Sequence, residues 1–382
     1  MLNFFLKVFR KNKRANDNLP LKPHSRIQKI LISTSSRLTG EYFKDNRLYI
    51  ANAFPSIIDR VGFESSTTEN PYCRNYYIVT FYFHDAGFNA GTVILLNDLT
   101  KIGEYFCICL SILYGKRFDY HGVIENKGIF GVPYLQNIQP ITNYNYTYNN
   151  HRKRVDLDIE LNLKNVSKIE RLFLDDTLNV KFENFFETAG RFYLNALQIF
   201  DTEPELSYLN LITSLEILSN YYEYTETELL DENLIKLFDE IKNNLDNGEQ
   251  KLKDIKKTLF QVRKKYWLLV NKLINNNFFS VTESNIDLFS FKKVNFEKNI
   301  KSAYDLRSKF VHTGASFGNS IKTNVSIMNE LPLGNTMLNP RNRDFEKILD
   351  KSPCFTGLER VVRYCLLSFI HKEAFPFDNR LD

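Results

Sequence analysis

Disulfide-ready cysteines, surplus charge and long apolar runs are all scarce in this 382-residue chain. The five cysteines (Cys73, Cys107, Cys109, Cys354 and Cys365) are odd in number, and their spacing fits no disulfide framework. Cys107 and Cys109 lie two apart on an expected helix, point to different faces and make a poor metal-ligand pair. Buried, reduced thiols in a cytoplasmic protein are the expectation, with no metal and no cofactor. The net charge is only +5. Residues 1–150 hold 17 Lys+Arg against 11 Asp+Glu, and residues 151–382 hold 33 against 34. Five of the cations, Lys7, Arg10, Lys11, Lys13 and Arg14, fall in the first fourteen residues. A strong nucleic-acid binder carries a broad basic surplus, so any RNA contact here must be local or transient. The longest apolar run, Tyr105–Tyr114, is well short of the ~20 residues of a membrane span. A phosphate-cradling glycine loop, an H-E-x-x-H and a nucleophile elbow are all missing. The opening MLNFFLKVFRKNKR puts apolar residues before charges, the reverse of a secretory signal. It reads as a frayed segment or as a short amphipathic helix touching a membrane, and no stable membrane association is expected.

What is present is globular: 43% hydrophobic, 25% charged and 14% aromatic residues. The length suggests two domains. Their patterning predicts an α+β protein, with an N-terminal mixed α/β sensor or regulatory domain over 1–165 and an all-α helical bundle over 166–382. In the first part, Asn75–His84 reads as a strand, Asp85–Gly91 as a turn and Thr92–Leu96 as the return strand. A helix capped by Asn97 or Asp98 runs to Tyr114 and stops at Gly115. Short strands are expected at Phe118–Ile124 and Ile129–Val132. The stretch NYNYTYNN with HRKR (143–154) reads as a connector or hairpin tip, or as Tyr and Arg side chains that stack on single-stranded RNA. The alternation in Asp156–Leu163 predicts one more strand.

From Phe182 the hydrophobic period becomes 3.6. Phe185, Ala189, Phe192, Ala196 and Phe200 form one stripe, and Leu211, Leu215, Leu218 and Tyr222 a second, predicting an antiparallel pair. Leu230, Leu234, Leu237, Ile241 and Leu245 mark a third helix. Leu252, Ile255, Leu259, Val262, Tyr266, Leu269 and Leu273 mark a long fourth. Phe296, Ile300 and Ala303 open a fifth that ends at Gly314, and Leu358, Val361, Cys365, Leu366 and Phe369 a sixth. Between Gly314 and Pro353 lies a loop rich in Asn, Pro and Gly, with a short helix near Asp344–Asp350. It serves either as a loop flanking substrate or as a loose insert.

The stretch able to carry chemistry is Tyr304–Gly314, YDLRSKFVHTG. The stripe Phe296, Ile300, Ala303, Arg307, Phe310 puts Arg307 on the packed side. A guanidinium stays charged, so burying it alone costs several kcal/mol. It needs a carboxylate partner, a cleft or an interface. Glu216, set among leucines, is either that partner or a core-edge acid that bonds backbone. His312 lies near the helix end, where the negative dipole end favours protonation. An Arg and a His facing one pocket suit metal-independent phosphodiester cleavage. The His acts as general acid/base on the RNA 2′-hydroxyl and leaving oxygen, and the Arg stabilises charge on the phosphorus oxygens. Tyr304 either bonds substrate or packs. His84 reads as a surface residue and His371 as a helix-end residue.

Tyr304–Gly314 resembles the R-x4-6-H motif of HEPN domains, where a polar residue commonly follows the Arg, as Ser308 does here. Leu209–Leu218 (LNLITSLEIL), with Glu216, resembles the preceding helix of the Apea-like HEPN group, and Leu358–Leu367 (LERVVRYCLL) its closing helix. The resemblance spans residues 183–373; residues 224–294 and the N-terminal half match no family pattern. It implies a four-helix-type core that dimerises, with two Arg–His pairs lining one cleft. It further implies metal-independent RNA cleavage leaving a cyclic phosphate, and a toxin role in abortive-infection antiphage defence. A phage-derived trigger sensed by the N-terminal domain would fit that role. The alternative is a non-catalytic HEPN-like dimerisation or ligand-sensing module, which the near-zero charge of residues 151–382 favours.

Overall fold

The computed structural model describes residues 25–45, 47–53, 74–84, 99–126, 129–130, 146–245, 247–258, 261–334 and 343–382. An antiparallel sheet near the N-terminus is followed by a mostly helical C-terminal part, so the chain is α+β. The turn and return strand expected over 85–96, the first fourteen residues and Cys73 lie outside the described residues.

The sheet is built on β1 (Ser25–Thr34), whose Ile30, Leu31 and Ile32 are all buried, as befits a strand covered on both faces. On one side it pairs β4 (Asn75–His84), followed by β3 (Leu48–Asn52) and β2 (Tyr42–Lys44). On the other it pairs β5 (Phe118–Asn126) and then the two-residue β6 (Ile129–Phe130). The helix α1 (Leu99–Tyr114) ends at Gly115, whose φ of +62° a side chain would resist. It lies between the sheet and the bundle through two close approaches. A Cβ on Gly103 would sit 2.2 Å from the Tyr120 ring, and one on Gly190 would sit 2.5 Å from Ile108.

The sequence 156–163 forms no strand; one isolated bridge, Thr39 to Asn162, is all that pairs there. Its alternation has another cause. Leu157 and Ile159 face the core while the chain runs irregularly across it. The RNA-stacking reading of 143–154 also fails for its described part. Tyr146 and Tyr148 are buried and stacked on each other at 5.4 Å, and Arg154 is buried.

After the short α2 (Glu170–Leu174), α3 (Val180–Ile199) and α4 (Pro204–Ser219) form the expected antiparallel pair. Asn179 caps α3 by accepting from the Lys181 amide, and Pro204 opens α4. Ser207 donates to the Ala196 carbonyl and Ser214 to that of Ala189, an antiparallel register. Phe182, Phe186, Ala189, Tyr193 and Leu197 form the buried stripe of α3, whereas Phe185 and Phe192 are only half-buried beside it. Next come α5 (Glu226–Leu229) and α6 (Glu232–Asn244). On α6 Phe238 is the buried residue, while Leu237 is 47% exposed. The long fourth helix is instead two, α7 (Gly248–Thr258) and α8 (Val262–Leu273). The chain breaks before Val262 because Gln261 adopts a left-handed φ of +46°.

The bundle closes with α9 (Lys293–Thr313), the short α10 (Arg343–Leu349) and α11 (Phe355–Glu373). Every residue of α11 from Phe355 to His371 is buried, including Glu359, Arg360 and Arg363. Their charges are matched in place. Arg154 donates twice to Glu359, at 2.8 and 2.7 Å, and once to Glu283 at 2.6 Å. Arg360 joins Asp156 and Glu330, and Arg363 joins Asp156 and the carbonyls of Ile112 and Leu113. The central helix is thereby tied to α1, to the 154–156 segment and to the loop before α10. One continuous hydrophobic cluster runs from Ile30 to Leu381. Cys107, Cys109, Cys354 and Cys365 are buried free thiols, their pKa values raised by burial where a shift is resolved. Among the described residues no helix is long and apolar enough to cross a membrane.

Candidate functional site

The Arg307 cluster stands where α4, α8 and α9 meet. The helix α9 buries Phe296, Ile300, Ala303 and Leu306, which leaves Arg307 at the edge of that face with its side chain 27% exposed. Its Nη2 donates to Glu216 Oε2 of α4 at 3.4 Å. The Tyr304 hydroxyl stands near the same carboxylate and favours its ionised form, and its ring lies 5.7 Å from the Arg307 guanidinium carbon. Tyr304 packs in turn on Tyr266 of α8, at 5.5 Å between rings. The Tyr266 hydroxyl is buried with no hydrogen-bond partner among the described residues.

Electrostatics at this cluster arise from partial burial. Desolvation raises the Glu216 pKa above the ordinary glutamate value, against the pull of Arg307 and the Tyr304 hydroxyl. Burial likewise raises Tyr304, with the Glu216 charge adding to it. The cluster is a carboxylate holding a guanidinium by one long bond. The guanidinium keeps N–H groups free to meet an oxyanion.

The other two sequence-predicted residues lie elsewhere on α9. Ser308 is half-buried and His312 is exposed. Five residues separate Arg307 from His312, which on an α-helix means about 140° of rotation and ~7.5 Å of rise. Within one chain the structure therefore brings together Arg307, Glu216 and Tyr304, while His312 faces away from them. No protein-family model, curated protein or solved structure matches this chain.

The segment after α9 is firmly anchored. Gly314, in the left-handed region at φ +66°, caps the helix by donating to the Phe310 carbonyl. Glu205, in the first turn of α4, then accepts from the Ser316 hydroxyl and from the Phe317 and Gly318 amides at 2.6, 2.6 and 3.0 Å. Those bonds hold its pKa below the ordinary carboxylate value, against the cost of burial. The described part of the 315–334 loop is thus packed: Phe317 stacks edge-on against Tyr208 and Phe310, and Ile321 is buried. His371 lies at the end of α11, bonded to Asp382 Oδ1 at 2.8 Å, and is a structural residue.

Two features escaped the sequence reading. Tyr266 lies beneath Tyr304 and Glu216, a placement that its helical stripe signals only as core. The second is a set of cations beside α9, of which only Lys298 and Lys301, one turn apart on that helix, leave a local signal. Among the described residues no group of three or more His, Cys, Asp or Glu side chains is arranged to hold a metal ion.

Proposed function

We propose that this protein is a HEPN-type, metal-independent endoribonuclease that acts as a homodimer in the cytoplasm. The observation that supports this reading best is Arg307, set on the inner edge of one bundle helix and held by Glu216 of another while its remaining N–H groups stay accessible. In this reading the guanidinium stabilises the negative phosphorane. His312 takes the proton from the 2′-hydroxyl or returns one to the leaving oxygen, and the attacking oxygen comes from the RNA itself. The 140° between the two residues on α9 requires a second copy. Arg307 of one protomer and His312 of its partner would then share one phosphate. The sheet domain serves as the sensor of a phage-derived trigger, and RNA cleavage by the released enzyme stops growth.

A non-catalytic dimerisation module is the second reading, favoured by the exposure of His312 and its separation from Arg307. One experiment separates the two. RNA is incubated with purified protein in EDTA, using wild type, Arg307→Ala, His312→Ala and a co-expressed heterodimer of the two variants. The endonuclease reading expects cleavage by wild type and a loss of at least ~100-fold in each single variant. The heterodimer should recover part of the activity, because one composite site is intact. Equal cleavage by all four samples, or by none, overturns it.

A further inference from the structure

A basic groove of about 490 Å³ runs beside α9, walled by α8 on one side and α10 on the other. Five cations line it: Arg263, Lys298, Lys301, Lys347 and Lys351. Two carboxylates face them, and both are engaged. Asp305 takes both its oxygens to Arg263 at 2.7 Å, and Glu297 pairs with Lys301. Lys347 leans toward Asp344 at 3.3 Å, outside the groove lining. Among the described residues, the ion pairs at the groove are those of Arg263, Lys301 and Lys347, and none involves Lys298 or Lys351. The groove therefore carries five positive charges against two negative, in a half of the chain whose net charge is −1. Both walls are tied to α9: Asn299 donates to the Lys351 carbonyl at 2.7 Å, and Arg263 of α8 pairs with Asp305.

The groove is in register with the exposed histidine. Val294, Lys298, Lys301, Asp305, Ser308 and His312 recur at spacings of four, three, four, three and four residues. On an α-helix such positions stay within about 40° of one line. Arg307 is on the other side, but Ser308 and His312 continue the groove's stripe. From Lys298 to His312 the stripe covers ~21 Å, room for about six nucleotides at the ~3.4 Å per step of a stacked strand. The five cations stand on α8, on α9 and at α10 and face one narrow groove, so they fit one phosphate backbone and not the broad face of a duplex. Trp267 stands beside Lys301, its ring 5.9 Å from the ammonium, where an aromatic surface can stack a base.

We infer that this groove binds the phosphate backbone of a single-stranded polynucleotide and leads it along α9 to Ser308 and His312. What then happens to the strand rests on the endoribonuclease reading; the binding itself does not. The test uses the full chain and a fluorescent single-stranded 2′-O-methyl oligonucleotide, which cannot supply a 2′-hydroxyl and so separates binding from cutting. Fluorescence anisotropy is measured across a salt series for wild type, Lys298→Glu/Lys351→Glu, Lys298→Arg/Lys351→Arg, and Lys164→Glu as a remote exposed control.

The groove predicts at least tenfold weaker binding for the Glu double variant. Its log–log salt slope should be shallower by about 1.4, two contacts at ~0.7 each. The Arg double variant and the control should bind as wild type does. Equal affinity and slope in wild type and the Glu variant overturn the groove, as does a wild type that fails to bind. So does preference for a duplex, or displacement of the strand by inorganic phosphate at the same concentration of phosphate groups. Wild-type cleavage with lysine-independent binding would sink the groove and spare the nuclease; lysine-dependent binding without cleavage would do the reverse.

Discussion

Glu216 on α4 meets Arg307 on α9 through a single 3.4 Å hydrogen bond, although 91 residues separate them in sequence. The contrast with the other arginines is informative. Arg263 is gripped by both oxygens of Asp305 at 2.7 Å, and Arg154 by both oxygens of Glu359. Those bidentate pairs clamp one edge of the guanidinium. Arg307 is positioned but not consumed, which is what a group that must receive a phosphoryl oxygen requires.

Replacing Glu216 should separate stability from activity. Burial raises its folded-state pKa above the ordinary glutamate value, so the fold favours the protonated form. Its contribution to stability is full below that ordinary value and is lost as pH rises through the raised one. Activity runs the other way, because only the carboxylate holds Arg307. Glu216→Gln should melt no lower than wild type at pH 7 and should lose the acid limb of the cleavage pH profile, with a reduced maximum. Thermal melts and a pH–rate series check this; an unchanged acid limb counts against it.

Asp156 balances both Arg360 and Arg363, all three of them buried. Removing it leaves two guanidinium groups short of a partner, a loss of ~3–5 kcal/mol for a broken buried pair. Asp156→Ala should lower the urea midpoint sharply. Lys153→Ala breaks only exposed, solvent-screened pairs with Asp158 and Glu160 and should leave the midpoint nearly unchanged. Similar midpoints for the two variants would show that the buried network is not a main source of stability.

The same network shows where sequence reading stops. The helices α3, α4, α9 and α11 were legible from their apolar spacing, although the buried stripe of α3 is offset from the expected one and α11 is buried on every side. So were β4, β5 and the caps at Gly115 and Gly314. That Glu359, Arg360 and Arg363 would be buried was not legible, since charged residues on a helix usually mark its wet face. Their charged partners come from positions up to 207 residues away. The break at Gln261 was hidden for a related reason: an unbroken apolar period continues across it, and no Gly or Pro announces the turn. Of the site, the Glu216–Arg307 contact was one of two open readings, and the separation of His312 from Arg307 was implicit in a spacing of five. The groove was missed because Lys298 and Lys301 on α9 read as an ordinary solvated face until Arg263 of α8 and the lysines at α10 come beside them.

His121 supplies a pH dependence of opposite sign to that of Glu216. It is the extra residue in a bulge of β5, where Tyr120 opposes Ile32 and Gly122 opposes Leu31. Its Nε2 lies 2.6 Å from Ser33 Oγ, and its Nδ1 is buried without a hydrogen-bond partner among the described residues. Burial, with Arg74 nearby, pulls its pKa from 6.5 down to about 4. The unfolded chain then binds more protons between those values, so the contribution of His121 is present above pH 6.5 and lost as pH falls toward 4. The full loss is on the order of 3 kcal/mol. In His121→Gln the stability difference from wild type should shrink steadily from pH 7 to pH 4. A difference that stays constant across that range rules out a neutral buried histidine.

Two glycines should respond to the same substitution for different reasons. At Gly314 a Cβ would meet nothing within 4 Å, so Gly314→Ala suffers only the left-handed backbone, ~1–2 kcal/mol. Gly314→Asn should recover part of that, because Asn tolerates the conformation. At Gly357 the backbone is ordinary but the space is not. A Cβ there would lie 2.4 Å from the Glu330 carbonyl oxygen, whose backbone anchors the start of α11 through the Cys354 amide. Gly357→Ala must push the loop off the central helix, and Gly357→Asn should be worse still. Urea unfolding of the four variants distinguishes the mechanisms by whether Asn improves or worsens on Ala. An Asn variant at 357 more stable than its Ala counterpart would show that contact with Glu330 is not what excludes a side chain there.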